Sequence, residues 1–243
     1  MVPLRDENPI RITPYVTYGL IAINVLVFIV EIIVSATGSP GMLESVFYQW
    51  AVVPKQLTIS FLSDFSISSL LEWGTLITSQ FLHAGFFHVG GNMLYLWVFG
   101  NNVEEEMGST RFLTFYLGCG VLASLAQWFF APDSTIPSLG ASGAIAGVMG
   151  AYIFRYPKVR ILTFIPIGFL FLTPRIPAFL FLGIWFLQQA AYGITSLGVS
   201  TNVGMESGGI AYWAHAGGFV FGALLAPLFG LFDSKKEDES PQI

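Results

Sequence analysis

The feature that most constrains this chain is how little charge it carries and where that charge is missing. Of 243 residues only 10% are Asp, Glu, Lys or Arg, against about a quarter in a soluble domain. A water-facing surface cannot be covered with so few. The remaining residues gather into charge-poor runs suited to crossing a hydrocarbon core of roughly 30 Å. These runs fall at 15–34, 86–101, 112–130, 139–154, 176–192 and 210–232. The pattern predicts an all-α membrane protein: a six-transmembrane-helix bundle over 15–232, an N-terminal segment over 1–14 and a charged tail over 233–243. The first run is too long for a signal-peptide core and no convincing cleavage site follows it, so it is expected to be a retained span.

The connections are uneven. A long one follows the first run, to near Gln80, and holds Lys55, Asp64 and Glu72 among Phe47, Tyr48, Trp50 and Trp73. Aromatics favour the membrane interface, so a membrane-embedded first loop, half-sunk in the outer leaflet, is expected. The apolar stretch 161–172, broken by Pro166 and Gly168, is expected to be an interfacial or re-entrant connection. With six spans, Arg5, Arg11, Arg111, Arg155, Lys158, Arg160, Arg175, Lys235 and Lys236 share one side, and Lys55 alone lies opposite. Basic residues mark the cytoplasmic side. Both termini are therefore expected in the cytoplasm, in a bacterial plasma membrane. The net charge of −5 sits largely in termini and loops. No basic patch suggests a nucleic-acid partner, and the single Cys119 allows no internal disulfide.

Polar groups within spans are expensive and need a reason. All three histidines, His83, His88 and His215, fall in or beside spans. His215 lies in Ala214-His215-Ala216-Gly217-Gly218, with Gly222 one turn on, a small-xxx-small face. The fourth span offers a matching surface around Gly140, Ser142, Gly143 and Gly147. A serine hydroxyl becomes a useful nucleophile when a base stands within about 2.6–3.2 Å. Side chains as short as these reach that distance only if their helices nearly touch, which glycine and alanine permit. Each residue also has a plainer reading: Ser142 as a helix cap, His215 as an interhelical hydrogen bond. His88 and Asn92 share one helix face. They can donate to a developing oxyanion, or simply solvate a helix end. A fourth helix over 139–154 would be about 24 Å long. Its start should therefore lie in a recess below the outer surface, where water can reach.

These residues resemble the rhomboid intramembrane serine proteases. The resemblance rests on Gly140-Ala141-Ser142-Gly143, on Ala214-His215-Ala216-Gly217-Gly218-Phe219-Val220-Phe221-Gly222, and on His83-Ala84-Gly85-Phe86-Phe87-His88-Val89-Gly90-Gly91-Asn92. Phe99-Gly100-Asn101-Asn102-Val103-Glu104 also matches, and the matches run in the family's order over about 45–230. The resemblance implies a dyad in which Ser142 is nucleophile and His215 general base, then acid. It implies an oxyanion hole of His88, Asn92 and the Ser142 N–H, with His83, Gly140, Gly143, Gly218 and Gly222 in support. It further implies no metal and no cofactor. The partners it implies are the lipid bilayer and the transmembrane segments of single-span substrates, cut near the outer end of a helix that unwinds easily. Substrate would enter beside the fifth span and Trp185.

Two positions depart from the family pattern. Trp73 is followed by Gly74 where some members have arginine, so the first loop's anchoring must differ. Ala146 stands where an aromatic often supports the catalytic histidine, so another group must orient His215. Three other classes remain: an inactive rhomboid-like binder, a transporter suggested by Glu31 and the broken fifth region, and a zinc enzyme built on the three histidines.

Overall fold

The computed structural model describes residues 1–196 and 211–233. Of the expected tail over 233–243, residues 234–243 lie outside the described residues, as does the start of the sixth expected span at Ile210. A strand β1 (Val2–Asp6) precedes the first long helix, α1 (Tyr15–Thr37). Three short helices follow: α2 (Met42–Trp50), α3 (Pro54–Leu62) and α4 (Ile67–Thr78). Then come α5 (Phe86–Met107), α6 (Ser109–Phe130) and α7 (Ser142–Arg155). Strands β2 (Arg160–Ile167), β3 (Leu170–Leu172) and β4 (Arg175–Pro177) lead into α8 (Ala178–Ser196), and α9 (Tyr212–Leu225) closes the bundle.

Of these, α1, α6, α8 and the stretch Tyr212–Phe229 are each long and apolar enough to cross a membrane. The other two helices of the bundle bury their polar or small residues: α5 buries half its length, Asn92, Asn102 and Glu104 included, and leaves Phe86, Phe87 and Trp97 exposed. The α5 helix carries Asn92, Asn101, Asn102 and three glutamates. The α7 helix has 14 residues and is buried from Gly143 to Tyr152. Lipid-facing side chains such as Ile23, Leu26, Val30 and Ile33 on α1 are exposed instead. This inversion is what a hydrocarbon solvent asks for.

The bundle has two chemically different ends. At one, Arg175 pairs with Glu7 at 2.8 Å and Arg111 with Asp233 at 2.6 Å, beside Arg155 and Glu106. The acidic turn after α5 has a defined task there. Buried Glu104 accepts from the backbone N–H groups of Val16 (3.0 Å) and Thr17 (2.8 Å), and from the hydroxyls of Thr17 (2.8 Å) and Ser109 (2.7 Å). Pro14 precedes α1 and offers no side-chain cap. A carboxylate from another helix therefore satisfies the first-turn donors and complements the helix dipole.

At the other end the first loop is folded. Trp73 meets Phe61 and Trp128 edge-on at centroid distances of 6.5 and 5.7 Å, and the Trp128 Nε1–H donates to Thr58 Oγ1 at 2.8 Å. This cluster supplies the anchoring that Gly74 cannot. Phe65, Ile67, Leu70 and Leu71 stay exposed, an apolar rim suited to the membrane interface.

The stretch 161–172, expected to be an interfacial or re-entrant connection, is a hairpin, β2 and β3, closed by Gly168 (φ +59°) and Phe169. β2 pairs antiparallel with β1 as well as with β4, giving a small four-stranded sheet at the basic end. Interruption by Pro166 and Gly168 reads as a broken span in one dimension. In space, Pro166 lies opposite Phe171 near the hairpin end and Gly168 supplies the turn. Asp6 at the end of β1 accepts from Tyr152 Oη at 2.7 Å and Asn102 Nδ2 at 3.0 Å, tying the sheet to α7 and α5.

Candidate active site

The approach of α7 to α9 sets everything else. A Cβ added at Gly218 would run into the Gly143 carbonyl, one at Gly222 into the Gly147 backbone, and one at Gly150 into the Phe219 carbonyl. The two backbones thus touch along their lengths, and only glycine lets them. The α6 helix closes on the same seam: Cβ atoms at Gly143 and Gly147 would strike Ala123 and Cys119 of α6.

Ser142 is the first residue of α7. Ala141 occupies the cap position and no side chain caps the helix, so the serine hydroxyl is not spent on capping. The segment leading to it is held by reciprocal bonds between Val52 and Ser138, and by Gly140 N–H donating to Ser79 O at 2.8 Å. Gly140 adopts φ +120°, and a Cβ there would overlap His88 Nε2. Glycine is needed at 140 for both reasons.

Half-buried Ser142 Oγ lies 2.7 Å from His215 Nε2. The opposite ring nitrogen, His215 Nδ1, lies 2.8 Å from Gln189 Oε1 on α8. Trp185, one turn earlier on α8, sets its ring 5.9 Å from the His215 ring at a tilt of 34°. Sequence reasoning missed Gln189. Its only signal was a pair of adjacent polar residues, Gln188 and Gln189, inside an expected span.

His88 and Asn92 come from the first turns of α5 and converge on the same spot. A Cβ at Gly140 would meet His88 Nε2 first and lie 3.6 Å from Asn92 Nδ2. His88 Nδ1 accepts from the Ala84 N–H across a long 3.4 Å, leaving Nε2 as the N–H donor that faces Gly140. His83 is buried, and its Nε2 accepts from Asn92 Nδ2 at 2.9 Å. Its backbone N–H is held in turn by Glu31 Oε1 at 3.1 Å. Glu31, buried on α1, therefore props the loop before α5 and is engaged in structure. Gly140, Gly143, Gly218 and Gly222 all sit at these contacts.

Beside Ser142 is a cavity of about 20 Å³, lined by Ser79, Gln80, Ser124, Ser138 and Gly140 among others. That is room for one water among polar partners. The three histidines do not gather as a ligand set. Among the described residues no group of three His, Cys, Asp or Glu side chains is placed to hold a metal ion.

Comparison with known proteins gives one consistent result. A family model described as the Rhomboid domain matches residues 70–232. The chain is 30% identical over 172 residues to "Rhomboid protein 1, mitochondrial" of Saccharomyces cerevisiae, covering 69% of this chain and 44% of that protein. It is 46% identical over 83 residues to "Rhomboid protease GluP" of Bacillus subtilis, covering 34% of this chain and 16% of that protein. It is 30% identical over 151 residues to "Presenilin-associated rhomboid-like protein, mitochondrial" of Homo sapiens, covering 61% and 35%. The chain spans less than half the length of each of these relatives.

Proposed function

The chain belongs to the rhomboid family, and on that premise we propose that it is an intramembrane serine endopeptidase with Ser142 as nucleophile and His215 as general base. One observation carries this reading: the 2.7 Å hydrogen bond between Ser142 Oγ and His215 Nε2 inside a membrane-embedded bundle. In the proposed reaction Ser142 Oγ attacks the scissile carbonyl while His215 Nε2 takes its proton. In this reading the oxyanion is held by the His88 Nε2–H, an Asn92 N–H and the Ser142 backbone N–H. The last is a first-turn donor that helix geometry leaves without an intrahelical acceptor. His215 then protonates the leaving amine, the C–N bond breaks, and an acyl-serine remains. Water attacks this ester with His215 again as base, which releases the acid and restores the serine. The polar cavity beside Ser142 suits that water.

The substrates proposed are single-span membrane proteins, presented beside α8 and Trp185. Four stretches long and apolar enough to cross, together with the half-buried α5 and the buried α7 between them, support a reading of six crossings. The positive-inside bias supports the reading that the basic end faces the cytoplasm, and the membrane proposed is a bacterial plasma membrane. The test is cleavage of a model single-span substrate by the purified chain in liposomes. Ser142→Ala and His215→Ala should each remove nearly all activity, because the pair acts as a unit. Chelators should change nothing. Cleavage that survives either substitution sinks the dyad, and a wild-type chain that binds substrate without cutting it favours the inactive-binder reading.

A further inference from the structure

We propose that Gln189 is the positioning residue for His215, fixing the imidazole tautomer and ring plane that let Nε2 accept the Ser142 proton. The inference rests on Ser142 and His215 being the reacting pair. A carboxamide oxygen only accepts hydrogen bonds. With Gln189 Oε1, not its amide nitrogen, turned to the ring at 2.8 Å, the contact is a hydrogen bond when His215 Nδ1 carries the proton. Nε2 is then left with its lone pair, and that atom faces Ser142 Oγ at 2.7 Å. The other tautomer would set two acceptors against each other at Nδ1 and remove the base from Nε2.

Three further observations converge on the same role. Gln189 lies on a membrane-crossing helix yet is only 8% exposed, and a polar side chain buried in hydrocarbon is costly unless paired. Trp185 and Gln189 are one turn apart, so a single face of α8 meets His215 with both a ring and an acceptor. On α7, the residue one turn beyond Ser142 is buried Ala146, whose methyl group offers the imidazole neither stacking surface nor hydrogen bond. An amide also does this work without a second ion. A carboxylate here would carry a desolvation cost of several kcal/mol, whereas Gln189 orients the ring while remaining neutral.

The test uses the full chain in liposomes for kinetics and in micelles for 15N NMR of the histidine rings, with His215→Ala identifying the signal. In the wild type, His215 should show a protonated Nδ1 and an unprotonated Nε2 at neutral pH. Gln189→Ala should lower kcat about 10- to 100-fold with KM within about twofold, as expected when a reacting group is misplaced. The ring signature should shift toward a mixture of tautomers. Gln189→Glu, which restores an acceptor, should recover the Nδ1–H signature and part of the rate. Gln189→Met keeps the volume, and should fail like alanine if orientation is what matters. A kcat within about twofold of wild type in Gln189→Ala, or an Nε2–H ring in the wild type, overturns the proposal. Failure of the dyad itself reads differently: Ser142→Ala would then cleave like wild type, while the ring signature would still report whether Gln189 sets His215.

Discussion

Ser142 and His215 are separated by 73 positions in the chain, yet their Oγ and Nε2 atoms stand 2.7 Å apart. Two side chains this short meet only where their helices pack closely. The pair meets because Gly143, Gly147 and Gly150 on α7 face Gly218, Gly222 and Phe219 backbone atoms on α9.

That contact makes Gly222 a sensitive position. Its missing Cβ would fall within the Gly147 backbone, which has no flexible atom to give way. Gly222→Val should destabilise the bundle by at least about 1–3 kcal/mol and abolish cleavage by parting Ser142 from His215. Thermal unfolding in micelles and the liposome assay check both. Normal activity in Gly222→Val would contradict a close-packed α7–α9 seam.

Asn92 and His83 should behave as one unit. His83 Nε2 holds one amide hydrogen of Asn92 and so aims the other. Asn92→Ala should cost about 10²–10³ in kcat, as loss of an oxyanion donor does, and His83→Ala less. The double variant should be little worse than Asn92→Ala. Additive losses in this cycle would mean that His83 acts independently.

Glu104 is a stability residue that touches nothing reactive. It accepts four hydrogen bonds at the start of α1 and α6. Glu104→Ala strands buried donors and should cost about 3 kcal/mol, with kcat preserved below the new midpoint. A large fall in kcat without a fall in stability would point to a role the contacts do not explain.

Asp6 should make the sheet's attachment pH-dependent. Burial pushes its carboxyl above the ordinary 3.8, outweighing the Tyr152 hydrogen bond that pulls it down. The folded state therefore holds this proton more tightly than the unfolded state. Its contribution is complete below 3.8 and is lost as pH rises through the raised folded value. Asp6→Asn cannot ionise, so wild type should lose stability relative to Asp6→Asn as pH rises over that window. Unfolding midpoints of both proteins across a pH series measure the difference; a gap that widens in the wild type's favour would reverse the sign and refute the account.

Much of this molecule could be read in one dimension because hydrocarbon is an unforgiving solvent. Some apolar runs found their helices to within a few residues, as with 112–130 against Ser109–Phe130, whereas α5 continues six residues past 101 and α9 ends at Leu225. Short motifs named Ser142, His215, His88 and Asn92, since a small-residue face carrying one polar group has few other uses. The sheet escaped because Pro166 and Gly168 look like breaks in a span when strand pairing is invisible. The short helices of the first loop escaped too, their polar residues being mixed with aromatics.

What the sequence alone determined is the medium and the candidate polar groups: a chain with so little charge must face lipid, and its few membrane polar residues are a short list. Tertiary structure decided who supports them. Gln189 meets His215, Glu104 meets α1 and Asp6 meets Tyr152 across 26 to 146 positions. Those partners follow from how helices pack, and helix packing is set by contacts among many side chains at once, which no local pattern records.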